Sequence, residues 1–139
     1  MADDFSYRLE VTDSATWRVL DSLAQGFHDG VLRQACIDTG EFVDHERGVA
    51  SRFPVRLRVI VQLQNGPIPA IELTFSGVRH LVFDVARDVE PAQFEPEPNG
   101  FAVQLLGLSV AASRLRARLL DSDALGPVTV APIDPANPG

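Results

Sequence analysis

The sequence predicts an α+β fold: an antiparallel sheet of six to eight strands with one main amphipathic helix. Three observations carry this. Between Pro54 and Asp84, Val55, Leu57, Val59, Val61 and Leu63 occupy every second position, with Arg56, Arg58, Gln62 and Gln64 between them. The alternation resumes through Ile71, Leu73 and Phe75, and again at Leu81 and Phe83 after Gly77. Period two is the mark of strands with one buried face, and Asn65-Gly66-Pro67 is a turn signal between the first two. The stretch 54–84 is therefore expected to be a three-stranded meander at the core. The third observation is the helical spacing of Trp17, Leu20, Leu23, Ala24 and Phe27, which follows N-cap chemistry in Thr12-Asp13-Ser14.

The other elements follow in order. Phe5, Tyr7, Leu9 and Val11 alternate as a first strand. The helix is expected over residues 14–25, stopped by Gly26. Phe27-His28-Asp29-Gly30 reads as a turn and residues 31–38 as a strand. Residues 39–53 are polar, without period, and read mostly as loop. Three prolines and an Asn-Gly pair between residues 87 and 100 read as an acidic surface loop. Phe101 to Val110 is apolar on both faces, as in a strand buried on both sides. In Ser113 to Leu120, Leu115, Ala117 and Leu119 alternate with Arg114, Arg116 and Arg118. A helix would scatter those arginines, whereas a strand sets them on one face, and we read strand. Residues 121–127 read as a turn, 128–130 as a short strand, and 132–139 as a frayed tail of one domain spanning 1–139. A single helix covers only part of so broad a sheet, so the sheet must curl or another surface must cover the rest.

Composition narrows function. The 139 residues carry a net charge of -7, a poor basis for binding nucleic acid, where phosphate neutralisation supplies most of the affinity. Every one of the 12 basic residues is arginine, so a Schiff-base or phosphate-loop lysine is ruled out. Cys36 is the only cysteine, which excludes an internal disulfide. No apolar run reaches the ~18 residues of a membrane span, and the acidic start lacks a signal core. The expected compartment is the cytoplasm. The lysine-free composition, rich in Ala, Val, Leu, Asp and Pro, suggests a GC-rich bacterial genome.

Four groups of residues invite a chemical reading. His28-Asp29 has the makings of a general base or a metal ligand, although Asp in a turn more often accepts from local backbone. His45-Glu46 with Asp44 would need further ligands, such as His28 or His80, to hold a metal, and there is no HExxH spacing. His80 sits beside Val78 and Val82 in a strand. Asp121-Ser122-Asp123 begins like a calcium loop but lacks the acidic ligand at position twelve, which is Pro132. Arg114, Arg116 and Arg118 form the strongest surface feature, suited to an anion or an acidic partner. Arg56 and Arg58 extend the row if their strands are neighbours. The competing reading is internal pairing with Glu72, Asp84 or the acidic 84–97 segment. No nucleophile elbow, dinucleotide loop or phosphate loop occurs, and no cofactor is expected.

The order of a tryptophan-bearing helix, Phe27-His28-Asp29-Gly30-x-Leu32, and ELTFSGVRHLVFD at residues 72–84 resembles small bacterial domains of unknown function. Some of those look like immunity proteins of polymorphic toxin systems. The resemblance implies a cytoplasmic, non-enzymatic α+β protein that binds one partner, and it brings no catalytic residues. The leading expectation is thus a non-catalytic protein-binding module, with toxin immunity as one form. The alternatives are a small metal-dependent or acid/base hydrolase using His28, His45 or His80, and a homo-oligomeric structural module.

Overall fold

The computed structural model describes residues 8–64, 66–84 and 91–120. The expected strand residues Phe5 and Tyr7, the turn at Asn65, the start of the 87–100 segment, and the turn, strand and tail after residue 120 lie outside them. The class is α+β, mostly antiparallel sheet with one α-helix. Eleven strands are present among the described residues: β1 (Arg8–Val11), β2 (Gly30–Asp38), β3 (Glu41–Val43), β4 (Val49–Ser51), β5 (Arg56–Leu63), β6 (Ala70–Ser76), β7 (His80–Phe83), β8 (Gln93–Glu97), β9 (Gly100–Leu105), β10 (Leu108–Ala112) and β11 (Arg114–Leu120). They form a five-stranded sheet in the order β1-β11-β6-β5-β2, a four-stranded sheet in the order β7-β10-β9-β8, and the small β3-β4 hairpin.

The two larger sheets share one core. Leu57, Val59, Val61, Leu73, Phe75, Leu115 and Ala117 from the first join Phe101, Val103, Leu105, Leu108 and Val110 from the second in one buried cluster. Each fully buried side chain of this size contributes roughly 1.5–3 kcal/mol relative to exposure. The second sheet, rather than the helix, is therefore what covers the broad sheet. Helix α1 (Ser14–Leu23) sits against β1 and β8 instead. Asp13 caps it: the Asp13 carboxylate accepts from Thr16 N at 2.8 Å, and the Thr16 hydroxyl accepts from Asp13 N at 3.0 Å. Trp17 stacks on Phe27 and Phe94, with ring centroids 6.0 and 5.6 Å away, and Phe94 stacks on Phe101 at 5.3 Å. This aromatic ladder closes one end of the core. The helix ends two residues earlier than its spacing predicts, because Gln25–Phe27 tighten into a 3₁₀ turn with Gly26 at φ 70°.

The expected single sheet of six to eight strands is instead divided into sheets of five, four and two strands among the described residues, and four further expectations need correction. The meander keeps its first two strands, which pair from Arg56↔Ser76 to Gln62↔Ala70, but β7 joins the other sheet. Gly77, at φ +66° with Ser113 packed against it, turns the chain out of the sheet. The pairs β6-β11 and β7-β10 form one bent ladder across that corner, tied by Ser113 N donating to Ser76 O and Arg79 N to Ala111 O. The apolar stretch 101–110 is not one strand but most of a hairpin. Leu106 and Gly107, at φ 50° and 82°, make a two-residue turn between β9 and β10. Within the expected 87–100 loop lies β8, an edge strand in which Pro96 opposes Phe101. An edge tolerates proline because one side of the strand has no ladder to feed. The 39–53 segment likewise contains the short β3-β4 hairpin, its turn closed by the Asp44 carboxylate accepting from Glu46 N and Gly48 N, both at 2.9 Å.

Candidate functional site

β11 is a strand, and its alternation is as expected. Leu115, Ala117 and Leu119 are buried, while Arg114 and Arg116 are exposed and Arg118 is half-buried. Register then decides what surrounds the arginines. On the outer face of the five-stranded sheet, one row across the strands reads Arg8, Arg118, Glu72, Ile60, Gln34. The next reads Glu10, Arg116, Thr74, Arg58, Cys36, and the third Arg114, Ser76, Arg56, Asp38. β5 and β11 are not neighbours, but both flank β6. The result is a trough. Its floor is Thr74 and Ser76, its walls are arginines from β5 on one side and β11 on the other, and Glu72 closes one end. Adjacent strands lie ~4.8 Å apart, so the two walls stand roughly 9–10 Å apart at the backbone. The trough opens as a hollow of about 260 Å³ lined by Arg8, Arg56, Thr74, Ser76, Arg116 and Arg118, with a second of about 340 Å³ continuing past Ser76 toward Phe53.

The acids on this face neutralise part of the charge. Glu72, whose side chain is only 12% exposed, takes Arg58 at 3.4 Å and Arg118 at 3.2 Å. Glu10 faces Arg116 in register, yet its carboxylate accepts from Arg114 at 3.0 and 3.3 Å. Asp38 faces Arg56 in register but accepts from Gly40 N at 2.9 Å. Arg56 lies over the Phe53 ring, 3.6 Å from its centroid. Among the described residues, Arg8, Arg56 and Arg116 have no carboxylate partner. Of the internal partners weighed from sequence, Glu72 pairs with the row, Glu10 is a further partner the sequence reading did not name, and among the described residues half of the six arginines have no carboxylate partner.

The remaining candidates stay apart. His28 lies in the turn after the helix, its Nε2 3.6 Å from the Asp29 carboxylate, and is 77% exposed. His45 and Glu46 lie exposed in the β3-β4 turn. His80 begins β7 in the other sheet, and is exposed rather than packed among valines. Among the described residues, no three His, Cys, Asp or Glu side chains gather as a metal site. Among the described residues, two carboxyl groups are displaced from the ordinary carboxylate range. The Thr16 backbone and hydroxyl hold Asp13 below the usual carboxylate range, and burial pushes Asp21 above it. Sequence reading missed Arg8, Thr74 and Ser76. The signal for Arg8 was its place on the polar side of the first strand; the hydroxyls carry no signal until register sets them between arginines.

No family model, curated protein or solved structure matches this chain.

Proposed function

We propose that this protein is a non-catalytic binding module that docks an acidic segment of a partner protein on the arginine-walled face of its five-stranded sheet. What supports the reading is the arginine lattice: six guanidinium groups on one face of a chain whose net charge is -7. Arginine forks carboxylates in planar, two-pronged geometry, and three of the six have no carboxylate to fork among the described residues. A strand-shaped trough suits an extended acidic peptide, whose alternate side chains point into it.

The test is titration of the whole chain with a glutamate-rich peptide. Binding is expected at low ionic strength, weakening steeply with salt and falling several-fold in Arg116→Ala. Affinity unaffected by both salt and Arg116→Ala would remove this face from the reading. The toxin-immunity form of the proposal rests on the short motifs named above. It expects a toxin or secretion gene beside this one, and a gene standing alone in several genomes would remove that form while leaving the docking face to be judged by titration.

A further inference from the structure

We infer that the trough is a phosphate site, built to take a phosphomonoester carried on the partner's chain. The inference rests on the docking reading above and adds the group recognised. Thr74 lies between Arg58 and Arg116, and Ser76 between Arg56 and Arg114. Each half-buried floor residue thus has an arginine beside it in register on each wall, and neither hydroxyl is engaged by another described side chain.

Two features favour phosphate over carboxylate. The first is charge. Among the described residues, six arginines face three acids on this surface, Glu10, Glu72 and Asp38, and Asp38 and Glu10 are turned to Gly40 and Arg114. A carboxylate supplies one charge, while a phosphomonoester supplies about 1.5–2 with three strong acceptor oxygens. The second is donor geometry. A carboxylate held by one guanidinium fork leaves the opposite wall and the floor hydroxyls unanswered. A tetrahedral group seated on Thr74 has acceptor oxygens for the hydroxyl below and for Arg56 and Arg116, which line the same hollow from the two walls. A nucleic-acid backbone carries the same group but needs a long basic track and stacking aromatics, and the strong negative charge of the rest of this chain opposes it.

The experiment compares five probes by calorimetry on the full chain: an acidic peptide with a central phosphoserine, the same peptide with Glu at that position, the same with Ser, inorganic phosphate, and a short single-stranded oligonucleotide. The phosphoserine peptide is expected to bind about tenfold more tightly than the Glu peptide. Thr74→Val should remove most of that difference without affecting the Glu peptide, and Thr74→Ser should restore it. Arg116→Gln should weaken both peptides. Equal affinity for the phosphoserine and Glu peptides overturns the phosphate inference and leaves acidic docking standing. No binding by either peptide overturns both. Inorganic phosphate binding as tightly as the phosphopeptide overturns the partner-borne source, as does a single-stranded oligonucleotide binding more tightly than either.

Discussion

Arg116→Gln separates a structural role from a binding role, and its effect on stability can be worked out from the lattice. Arg116 has Arg114 and Arg118 two residues away on its own strand, each ~6.8 Å distant along the backbone. Two unit charges at that distance repel by about 0.6 kcal/mol in water, and less than half of this survives at physiological ionic strength. Against these stands one attraction, to Glu10 opposite, whose carboxylate is already held by Arg114. Glutamine keeps much of the stem that covers the sheet. The net change is expected to be a gain of up to about 0.5 kcal/mol at low salt, vanishing at high salt. Urea unfolding of the two proteins at both ionic strengths measures it. A loss exceeding ~1 kcal/mol at either salt would show that Arg116 makes a contact the fold depends on, and would refute the view that it stands free for a ligand.

Three further outcomes are expected. Leu115, fully buried one position away, should lose roughly 2–5 kcal/mol as Leu115→Ala, and Leu115→Asp should abolish cooperative unfolding in thermal melts. Gly107→Ala should destabilise by about 1–3 kcal/mol in urea, because its φ is +82° and a Cβ would press on the Asp84 carbonyl oxygen. Asp21 has a buried Oδ1 without a partner, and burial raises its pKa from 3.8. The folded state therefore holds this proton more tightly than the unfolded chain, so stability is full below the unfolded value and falls as pH rises through the folded one. Asp21→Asn should accordingly raise the melting temperature at pH 7 and leave it unchanged near pH 3.

The faces of the strands were legible in the sequence; their neighbours were not. Alternation placed Leu57, Val59, Leu73, Phe75, Leu115 and Ala117 inside and the arginines outside, and each is found there. Alternation says nothing about which strand lies beside which, so β7 was assigned to the meander when Gly77 sends it to the other sheet. Turn chemistry was hidden in two places. At Leu106-Gly107 an apolar residue stands where Asn usually announces such a turn. At Glu95-Pro96-Glu97 the proline reads as a break, although an edge strand accepts it. The site divides the same way. The arginine row of β11 was visible as a local pattern. The trough was not, because it depends on β6 lying between β5 and β11, two strands separated by more than fifty residues of chain.

The position of the arginines also bears on why they are there. The outer face of a sheet asks only for side chains that tolerate solvent and fit a pleated surface, and threonine meets that need without charge. Placing Arg8 directly across from Arg118, and Arg114, Arg116 and Arg118 in succession, sets like charges side by side, an arrangement that opposes folding slightly at each pair. Acids are plentiful in the chain, 19 against 12 basic residues, yet among the described residues Glu10, Glu72 and Asp38 are the ones that register sets on this face, and Arg116 obtains none of them. Stability alone does not account for that distribution, whereas the anion proposed above would, since it turns mutual repulsion into shared attraction at the moment of binding. The same segregation leaves the rest of the chain more negative than its net charge indicates. On the docking proposal, that charge separation would steer an acidic partner toward the trough. Association should accordingly slow with added salt more than dissociation quickens, and stopped-flow mixing with the phosphoserine peptide across an ionic-strength series measures that ratio. A salt effect confined to the dissociation rate would mean that the arginines hold the ligand without steering it.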